Sequence, residues 1–231
     1  MTTRNRTSSR TRPPRCAAWL IACAAGSLAC ALAACNIVAP VFMIVHGPEK
    51  TQAAHTLERD RPTVILVDDI GTRLPRSDLR LAIATQAEQT LVDKGVVRDL
   101  RDARAAITAS RQSKTGQLVP VTEVGKTVNA DVVVYASVEE FTLSPDGQSY
   151  LPTARLRLKV IDVPTETRLW PEDDQGYELV VTAPQRQGTA PVETARIREA
   201  QDQFAKLVGT RLAQTFFTHE KTTISDERAA R

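Results

Sequence analysis

DVVVYASV, residues 131–138, is the most strand-like stretch of this 231-residue chain. Its β-branched and aromatic residues favour extended backbone, and the unbroken apolar run predicts burial on both faces of a sheet. A second apolar run, VILV at 64–67, follows Pro62, ends in Asp68-Asp69 and predicts another buried strand. Helical segments separate the two runs, so we expect parallel strands joined by right-handed crossovers.

The segment between these strands predicts helices that cover the sheet. Apolar residues recur at helical spacing over 79–92, with Ser77 as the expected N-cap and Asp78 in the first turn. Gly95 is the expected C′ residue that ends this helix. The polar residues off the apolar stripe are Arg80, Glu88 and Asp93. We further predict a brief strand at Val96-Val97, a helix over 101–112, a loop at 115–117 and a helix over 120–129 opened by Pro120.

The chain after residue 138 predicts antiparallel hairpins and a closing helix. Ser144-Pro145-Asp146-Gly147 has the composition of a turn, and apolar residues over 154–160 alternate with polar ones, which indicates one buried and one wet face. A turn over 163–166 precedes further strands at 168–170 and 177–181. A long amphipathic helix that opens around Pro191 is predicted by the spacing of Ile197, Ala200, Phe204, Leu207, Val208, Leu212 and Phe216.

This order of elements predicts the α/β class. We expect a single domain over 61–217, with a mixed sheet of about five strands, helices packed on it and a long C-terminal helix. Residues 218–231 are polar and are predicted to form a disordered tail.

The amino terminus predicts export followed by lipid anchoring. Residues 1–15 are polar and arginine-rich, residues 17–34 are apolar and small, and Leu32-Ala33-Ala34 precede Cys35. A signal peptide needs a basic region, an apolar region and small residues before the cut. The stretch resembles the bacterial lipobox. We therefore predict a lipoprotein signal peptide over 1–34, a diacylglycerol on the thiol of Cys35 with palmitate among the acyl chains, and a lipid anchor and tether over 35–60.

Two other interpretations of the leader stay open. Residues 17–34 reach the short edge of a membrane span, and Ile37–Val45 would lengthen them into an uncleaved transmembrane anchor. Ordinary secretion is the second alternative. Cys30 is a weaker lipobox candidate than Cys35, because Leu28 lies one position too near it. Asn36, which stands where an aspartate would favour the inner membrane, favours the outer membrane and the periplasmic side of the cell envelope.

Cysteine usage and charge narrow the classes of function. The four cysteines, Cys16, Cys23, Cys30 and Cys35, all lie at or before position 35, so cleavage there leaves a mature domain without a disulfide. The net charge of +3 arises in the leader, because five of the 30 basic residues lie there and 25 basic residues then face 27 acidic ones. A nucleic-acid-binding protein needs a basic patch on its folded part. We predict no nucleic-acid partner.

Two motifs have a chemical interpretation and a structural one. Val124-Gly125-Lys126-Thr127 resembles a phosphate loop, but Pro120 stands where that loop needs glycine, and the next strand begins too soon for the phosphate-binding helix. Gly125 is therefore predicted to let a short helix pack closely on the sheet. Asp68-Asp69 at a strand end could bind a metal or act as a general base. Turn and capping roles are the favoured interpretation of this pair.

No other constellation in the sequence indicates an enzyme. His46, His55 and His219 lie outside the predicted core and have no acid or cysteine at ligand spacing. The chain also lacks a glycine-x-serine-x-glycine elbow. Trp170 could stack on a ligand, although an aromatic residue closing the hairpin edge is the favoured interpretation. We predict no catalytic residue, no metal site and no cofactor.

Two longer stretches carry a resemblance to a known group. They are PVTEVGKTVNADVVVYASVEEF at 120–141 and ARLRLKVIDVPTETRLWP at 154–171. With a lipidated cysteine before them, they resemble the curli-pore and penicillin-binding-protein-activator group of bacterial lipoproteins over residues 62–217. The group's turn usually has glycine after its threonine, where this chain has Glu166. The matching positions are Gly125, Ala130-Asp131, Asp162, Thr165 and Trp170.

The anchor, the tether and the lack of catalytic motifs together predict a function. We expect a membrane-anchored periplasmic lipoprotein that acts as a non-enzymatic interaction module and binds another envelope protein. Pore members of the resembled group carry long amphipathic hairpins, which this chain lacks, so a pore is not expected. The alternatives are an oligomerising subunit of an export or envelope-transport apparatus, and an unrecognised hydrolase that uses Asp68 or Asp69. The partner's identity and the oligomeric state are left open by the sequence.

Overall fold

A computed structural model describes residues 50–111, 118–184 and 191–220. The predicted α/β class is confirmed, with four helices and a six-stranded mixed sheet among the described residues. The elements, in chain order, are β1 (Lys50–Thr51), β2 (Thr63–Asp68), α1 (Leu79–Asp93), β3 (Leu100–Arg101), α2 (Ala103–Arg111), α3 (Val121–Thr127), β4 (Val132–Thr142), β5 (Thr153–Asp162), β6 (Thr167–Trp170), β7 (Tyr177–Thr182), α4 (Thr194–Gln214) and β8 (His219–Glu220).

The main sheet has the strand order β3-β2-β4-β5-β6, and β7 also pairs with β5. Strand β2 runs parallel to β3 and β4, with Thr63 opposite Val132 and Asp68 opposite Ser137. This confirms the predicted parallel pairing of the two apolar runs. The remaining pairs are antiparallel, as expected for strands joined by hairpins.

Strand β4 lies at the centre of two apolar cores. Val132, Val133 and Val134 are all buried, which confirms the prediction for the first half of the run. Val134 belongs to the larger core between the sheet and helices α1 and α4, and Val133 belongs to the smaller core under α2 and α3. Farther along, β4 and β5 are buried on one face only, and the second face of the sheet carries polar side chains.

Helices α1 and α4 pack closely against each other under the sheet. A Cβ at Gly209 of α4 would lie 2.8 Å from the Cβ of Gln86 and closer still to the carbonyl oxygen of Ile83. Only glycine therefore fits at this crossing. Of the predicted apolar stripe, Phe204, Val208 and Leu212 are buried in α4, and Phe216 is buried just after it. The other members are partly exposed, namely Ile197, Ala200 and Leu207. The helix begins three residues after Pro191.

The two ends of α1 differ in how well they match the sequence. Ser77 is not the N-cap, because the helix begins at Leu79 and the capping position falls on Asp78, whose carboxylate binds Arg76 instead. The carboxyl end has the expected Gly95 at a φ of +63°. The N–H of Gly95 donates to Val92 O at 2.8 Å and that of Val96 to Leu91 O at 2.9 Å, which is a Schellman motif. The predicted strand at Val96-Val97 is wrong, because this cap occupies its first residue, and the strand forms at Leu100–Arg101.

A second, two-stranded sheet joins the ends of the described domain. Lys50 pairs with Glu220 and Thr51 with His219 in an antiparallel arrangement. The domain thus extends into residues that the sequence assigned to the tether and to the tail. The predicted signal peptide, Ile37–Val45, the predicted loop at 115–117 and residues 221–231 lie outside the described residues.

Candidate functional site

The predicted lipidation site lies before the first described residue. Cys35 is separated from Lys50 by the rest of the proposed tether, so its role stays a prediction. Over the described ranges 50–111, 118–184 and 191–220, none of the helices has both the length and the apolar character that crossing a membrane requires.

The candidate acid Asp68 lies at the carboxyl end of β2, where its two oxygens have different partners. Oδ1 accepts hydrogen bonds from the N–H of Asp69 at 2.8 Å and from the Arg80 guanidinium at 3.1 Å. Oδ2 accepts from the hydroxyl of Tyr135 at 3.2 Å. The carboxylate is thus held on both sides by side chains from α1 and β4.

Arg80 is the buried cation of this cluster. It lies on α1 with 8% of its surface exposed, although its sequence position is off the apolar stripe. Its Nε donates to the carbonyl of Val67 at 3.0 Å, and burial lowers its pKa. Burial also raises the pKa of Tyr135 to about 12, and the negative charge of Asp68 adds to that shift. Tyr135 is therefore a neutral hydrogen-bond donor at neutral pH.

Asp69 stabilises the loop that follows β2. Its Oδ1 accepts from the N–H of Arg73 at 2.6 Å and its Oδ2 from the N–H of Leu74 at 3.1 Å. These bonds satisfy the loop backbone, which is the turn role that the sequence favoured. Across the described part of the chain, no cluster of three or more His, Cys, Asp or Glu side chains is placed to hold a metal ion.

Gly125 lies on the face of α3 that packs against the sheet, and Lys126 lies on the exposed face of the same helix. A Cβ on Gly125 would be 2.5 Å from Val163 Cγ2 and 2.9 Å from Val133 Cγ2, so the helix contacts the sheet through its backbone. Lys126 points outward, and its Nζ donates to Glu166 at 2.7 Å and to Glu123 at 2.9 Å. Both contacts are with carboxylates. The geometry favours the packing interpretation over phosphate binding.

The other positions of the resemblance meet around the turn between β5 and β6. Asp162 is buried, and its carboxylate accepts hydrogen bonds from Arg61 and from the hydroxyl and N–H of Thr165. The carbonyl of Asp131 accepts from the N–H of Val163 at 2.9 Å. These bonds connect β4, β5 and the entry of β2 into one polar cluster.

Trp170 stands apart from that cluster, in an aromatic group at the edge of the sheet. Its ring stacks on His55 with centroids 5.4 Å apart, lies 4.8 Å from the ring of Tyr177 and meets Phe216 edge-on at 6.2 Å. His55 is half-buried rather than outside the core, and burial lowers its pKa. The contacts favour the edge-aromatic interpretation of Trp170.

The polar half of the sheet is an open surface next to an unpaired edge. Arg157 on β5 binds Glu139 at 2.8 Å, and Arg155 lies 3.5 Å from Glu178 on β7. Val180, also on β7, is 53% exposed. Among the described strands, β6 and β7 pair with β5 alone, so no described strand pairs with their outer backbone edges.

A cleft at the amino-terminal part of α4 is a feature that the sequence did not predict. Its volume is about 320 Å³. The buried Gln201 lies in the apolar stripe of α4 between Ile197 and Phe204, and this interruption was the available sequence signal. The cleft is lined by Pro75, Phe141, Thr142, Leu143, Ser144, Pro191, Ile197 and Gln201.

Comparison with known proteins finds similarity in structure only. No protein-family model matches the chain, and no curated protein matches it. A PelC dodecamer from Paraburkholderia phytofirmans is 16% identical with a TM-score of 0.42, covering 73% of this chain and 97% of that one. Lipoprotein GNA1162 from Neisseria meningitidis is 13% identical with a TM-score of 0.34, covering 65% and 98%. The LpoB C-terminal domain from Escherichia coli is 19% identical with a TM-score of 0.32, covering 63% and 94%. The resemblance stated from the sequence thus has a counterpart among the similar solved structures, which include a protein described as a lipoprotein.

Proposed function

We propose that the chain is a lipoprotein of the bacterial envelope, anchored through Cys35, whose domain binds another envelope protein without catalysing a reaction. The observation that carries the proposal is the sequence Leu32-Ala33-Ala34-Cys35 after an arginine-rich start and an apolar stretch. A periplasmic position at the outer membrane follows from Asn36 and is part of the proposal.

The non-enzymatic role is supported by the contacts of the two candidate acids. Both oxygens of Asp68 and both oxygens of Asp69 accept hydrogen bonds from the protein itself. Each of these bonds holds a backbone or side-chain group of the fold in place, which is a structural use of the carboxylate. These contacts therefore favour structural roles for the pair and weigh against the hydrolase alternative.

A protein-binding role is supported by the open side of the sheet. The free edge of β6 and β7 can accept a further strand, and the neighbouring face carries the charges of Arg155, Arg157 and Glu178. Edge pairing gives affinity through backbone hydrogen bonds, and charges beside it select the partner.

The anchor is tested by substituting Cys35. In cells grown with a labelled fatty acid, Cys35→Ser should lose the lipid label and leave the membrane fraction, while the matched control Cys30→Ser keeps both. A Cys35→Ser protein that still fractionates with membranes would indicate an uncleaved span. In-cell crosslinking of the lipidated wild type should then yield a discrete heterologous partner, and its absence would contradict the binding role.

The second candidate is an oligomerising subunit of an export or envelope-transport apparatus. The same free edge of β6 and β7 favours it, since a sheet edge can pair with another copy of the chain. Size-exclusion chromatography with light scattering on residues 47–231 distinguishes the two. A closed ring of defined mass supports the second candidate, and a monomer at micromolar concentration supports the first.

A further inference from the structure

The cleft beside α4 has apolar walls that the fold holds in place. Arg76 fixes the loop that carries Pro75, because its guanidinium donates to Asp202 at 2.6 Å and to the carbonyl of Arg198 on α4. On the opposite wall, the ring of Phe141 packs on Phe204 with centroids 5.0 Å apart. The cleft is therefore formed before any ligand arrives, as most binding sites are.

Gln201 contributes an unpaired acceptor to the lining of this cleft. Gln201 is 9% exposed, and its Oε1 is a buried side-chain oxygen with no hydrogen-bond partner. Leaving such an atom unpaired costs on the order of 1–3 kcal/mol, and folded proteins contain few of them.

The size and the rim of the cleft indicate which kind of ligand it binds. A volume of about 320 Å³ is small for a cofactor and suits one or two side chains. Thr142 and Ser144 add polar groups to the lining, and Val192, next to Pro191, is 90% exposed. A peptide with apolar side chains and free backbone N–H groups matches the volume of the cleft, its polar lining groups and its exposed apolar rim.

We propose that this cleft binds an extended peptide segment of the partner protein, with an apolar side chain between Pro75, Phe141 and Ile197 and a backbone N–H donated to Oε1 of Gln201. The inference rests on the proposed protein-binding function and names the surface that performs it. The matching property is hydrogen-bond complementarity, because Gln201 Oε1 is an acceptor without a partner and every non-proline peptide residue supplies a backbone donor.

The test uses a phage-displayed library of random ten-residue peptides, selected on the full-length protein purified in detergent. We expect enriched peptides with a shared apolar residue. Gln201→Met removes the acceptor at similar volume, so it should weaken peptide binding at least tenfold while leaving the melting temperature unchanged or higher. Ile197→Asp should abolish binding. The matched control Val92→Asp places the same charge on an exposed apolar position of α1 outside the cleft and should leave binding intact.

The experiments distinguish failure of the cleft proposal from failure of the proposed function. No enriched peptide, or equal affinity in Gln201→Met and the wild type, overturns the cleft proposal. If the partner captured by crosslinking also binds Ile197→Asp as well as the wild type, the cleft is wrong and the binding function stands. If crosslinking captures no partner although the peptides bind as described, the cleft stands and the proposed function fails.

Discussion

The guanidinium of Arg61 binds the carboxylate of Asp162, 101 positions further along the chain. The pair ties the entry of β2 to the turn between β5 and β6. The carboxylate of Asp162 is also held by the hydroxyl and the N–H of Thr165, and the residue is only 6% exposed. Hydrogen bonds from the hydroxyl of Thr165 and then from the guanidinium of Arg61 hold the pKa of Asp162 below its usual range.

Asp162→Asn should destabilise the domain by about 1–3 kcal/mol, because the amide replaces one acceptor oxygen by an NH2 group, and the donors facing that group lose their acceptor. A carboxylate with a lowered pKa contributes stability above its unfolded pKa, and this contribution is lost as the pH falls through the folded pKa. Urea unfolding of the variant should therefore show a smaller loss of stability in acid than the wild type shows.

The control for this substitution is Asp60→Asn, which removes the exposed ion pair of Asp60 with Arg98 at 3.0 Å. Exposed pairs contribute roughly 0–1 kcal/mol. A cost for Asp162→Asn no larger than that of Asp60→Asn would contradict the structural role of the Arg61–Asp162 pair.

The sequence predicted those features that depend on local patterning. The apolar runs at 64–67 and 131–138, the Gly95 cap and the stripe of α4 follow from burial and backbone preference, and each forms where expected. The missed features depend on partners distant in sequence. Arg80 is buried because Val67 and Asp68 accept its hydrogen bonds, and the strand at Leu100–Arg101 forms because β2 is beside it. Neither contact can be predicted from helical spacing. The cleft around Gln201 likewise forms only when α4 packs against the rest of the domain.

The contact between α3 and the sheet predicts opposite results for two neighbouring residues. Gly125→Val should cost roughly 1–3 kcal/mol, because the new side chain would overlap Val163 and Val133. Lys126→Ala should be nearly silent, because it removes only exposed ion pairs. Thermal unfolding measures both. Nucleotide binding by the wild type that disappears in Lys126→Ala would overturn the packing interpretation and the non-enzymatic assignment together.

Glu166 stands at a backbone position that favours glycine. Its φ is +57°, in the left-handed region, at the position where the resembled group usually has glycine. A non-glycine residue in the left-handed region costs roughly 1–2 kcal/mol. Glycine removes this cost, but it also increases the conformational entropy of the unfolded chain, which offsets part of the gain. Glu166→Gly should therefore stabilise the domain by about 0.5–1 kcal/mol in urea unfolding.

Glu166→Ala separates backbone strain from the lost ion pair with Lys126. It removes the carboxylate but keeps the Cβ, so it should be neutral or slightly destabilising. If alanine stabilises the domain as much as glycine does, the strain at Glu166 is not the cause of the gain.

Glu88 on α1 connects that helix to the start of α2, where the N–H of Ala103 donates to its Oε1 at 2.9 Å. The side chain is half-buried, and its burial raises the pKa to about 7, with a smaller contribution from the charge of Asp102. The unfolded chain therefore releases this proton at a lower pH than the folded chain does. The free energy of unfolding should fall as the pH rises from the ordinary value of about 4.5 to about 7, and it should stay at the lower value above that.

Glu88→Gln keeps the acceptor for Ala103 and removes the charge. At pH 8 the variant should be more stable than the wild type by roughly 1 kcal/mol, a figure reduced for the partial exposure of the group. At pH 4 the two should be equal, because the wild-type carboxyl is then protonated. Urea unfolding at pH 4, 6 and 8 measures the difference. The exposed Glu123→Gln is the control, and its stability should differ from that of the wild type by the same small amount at pH 6 and pH 8. An equal effect of Glu88→Gln at all three pH values would mean that Glu88 is ionised throughout, and the raised pKa would then be wrong.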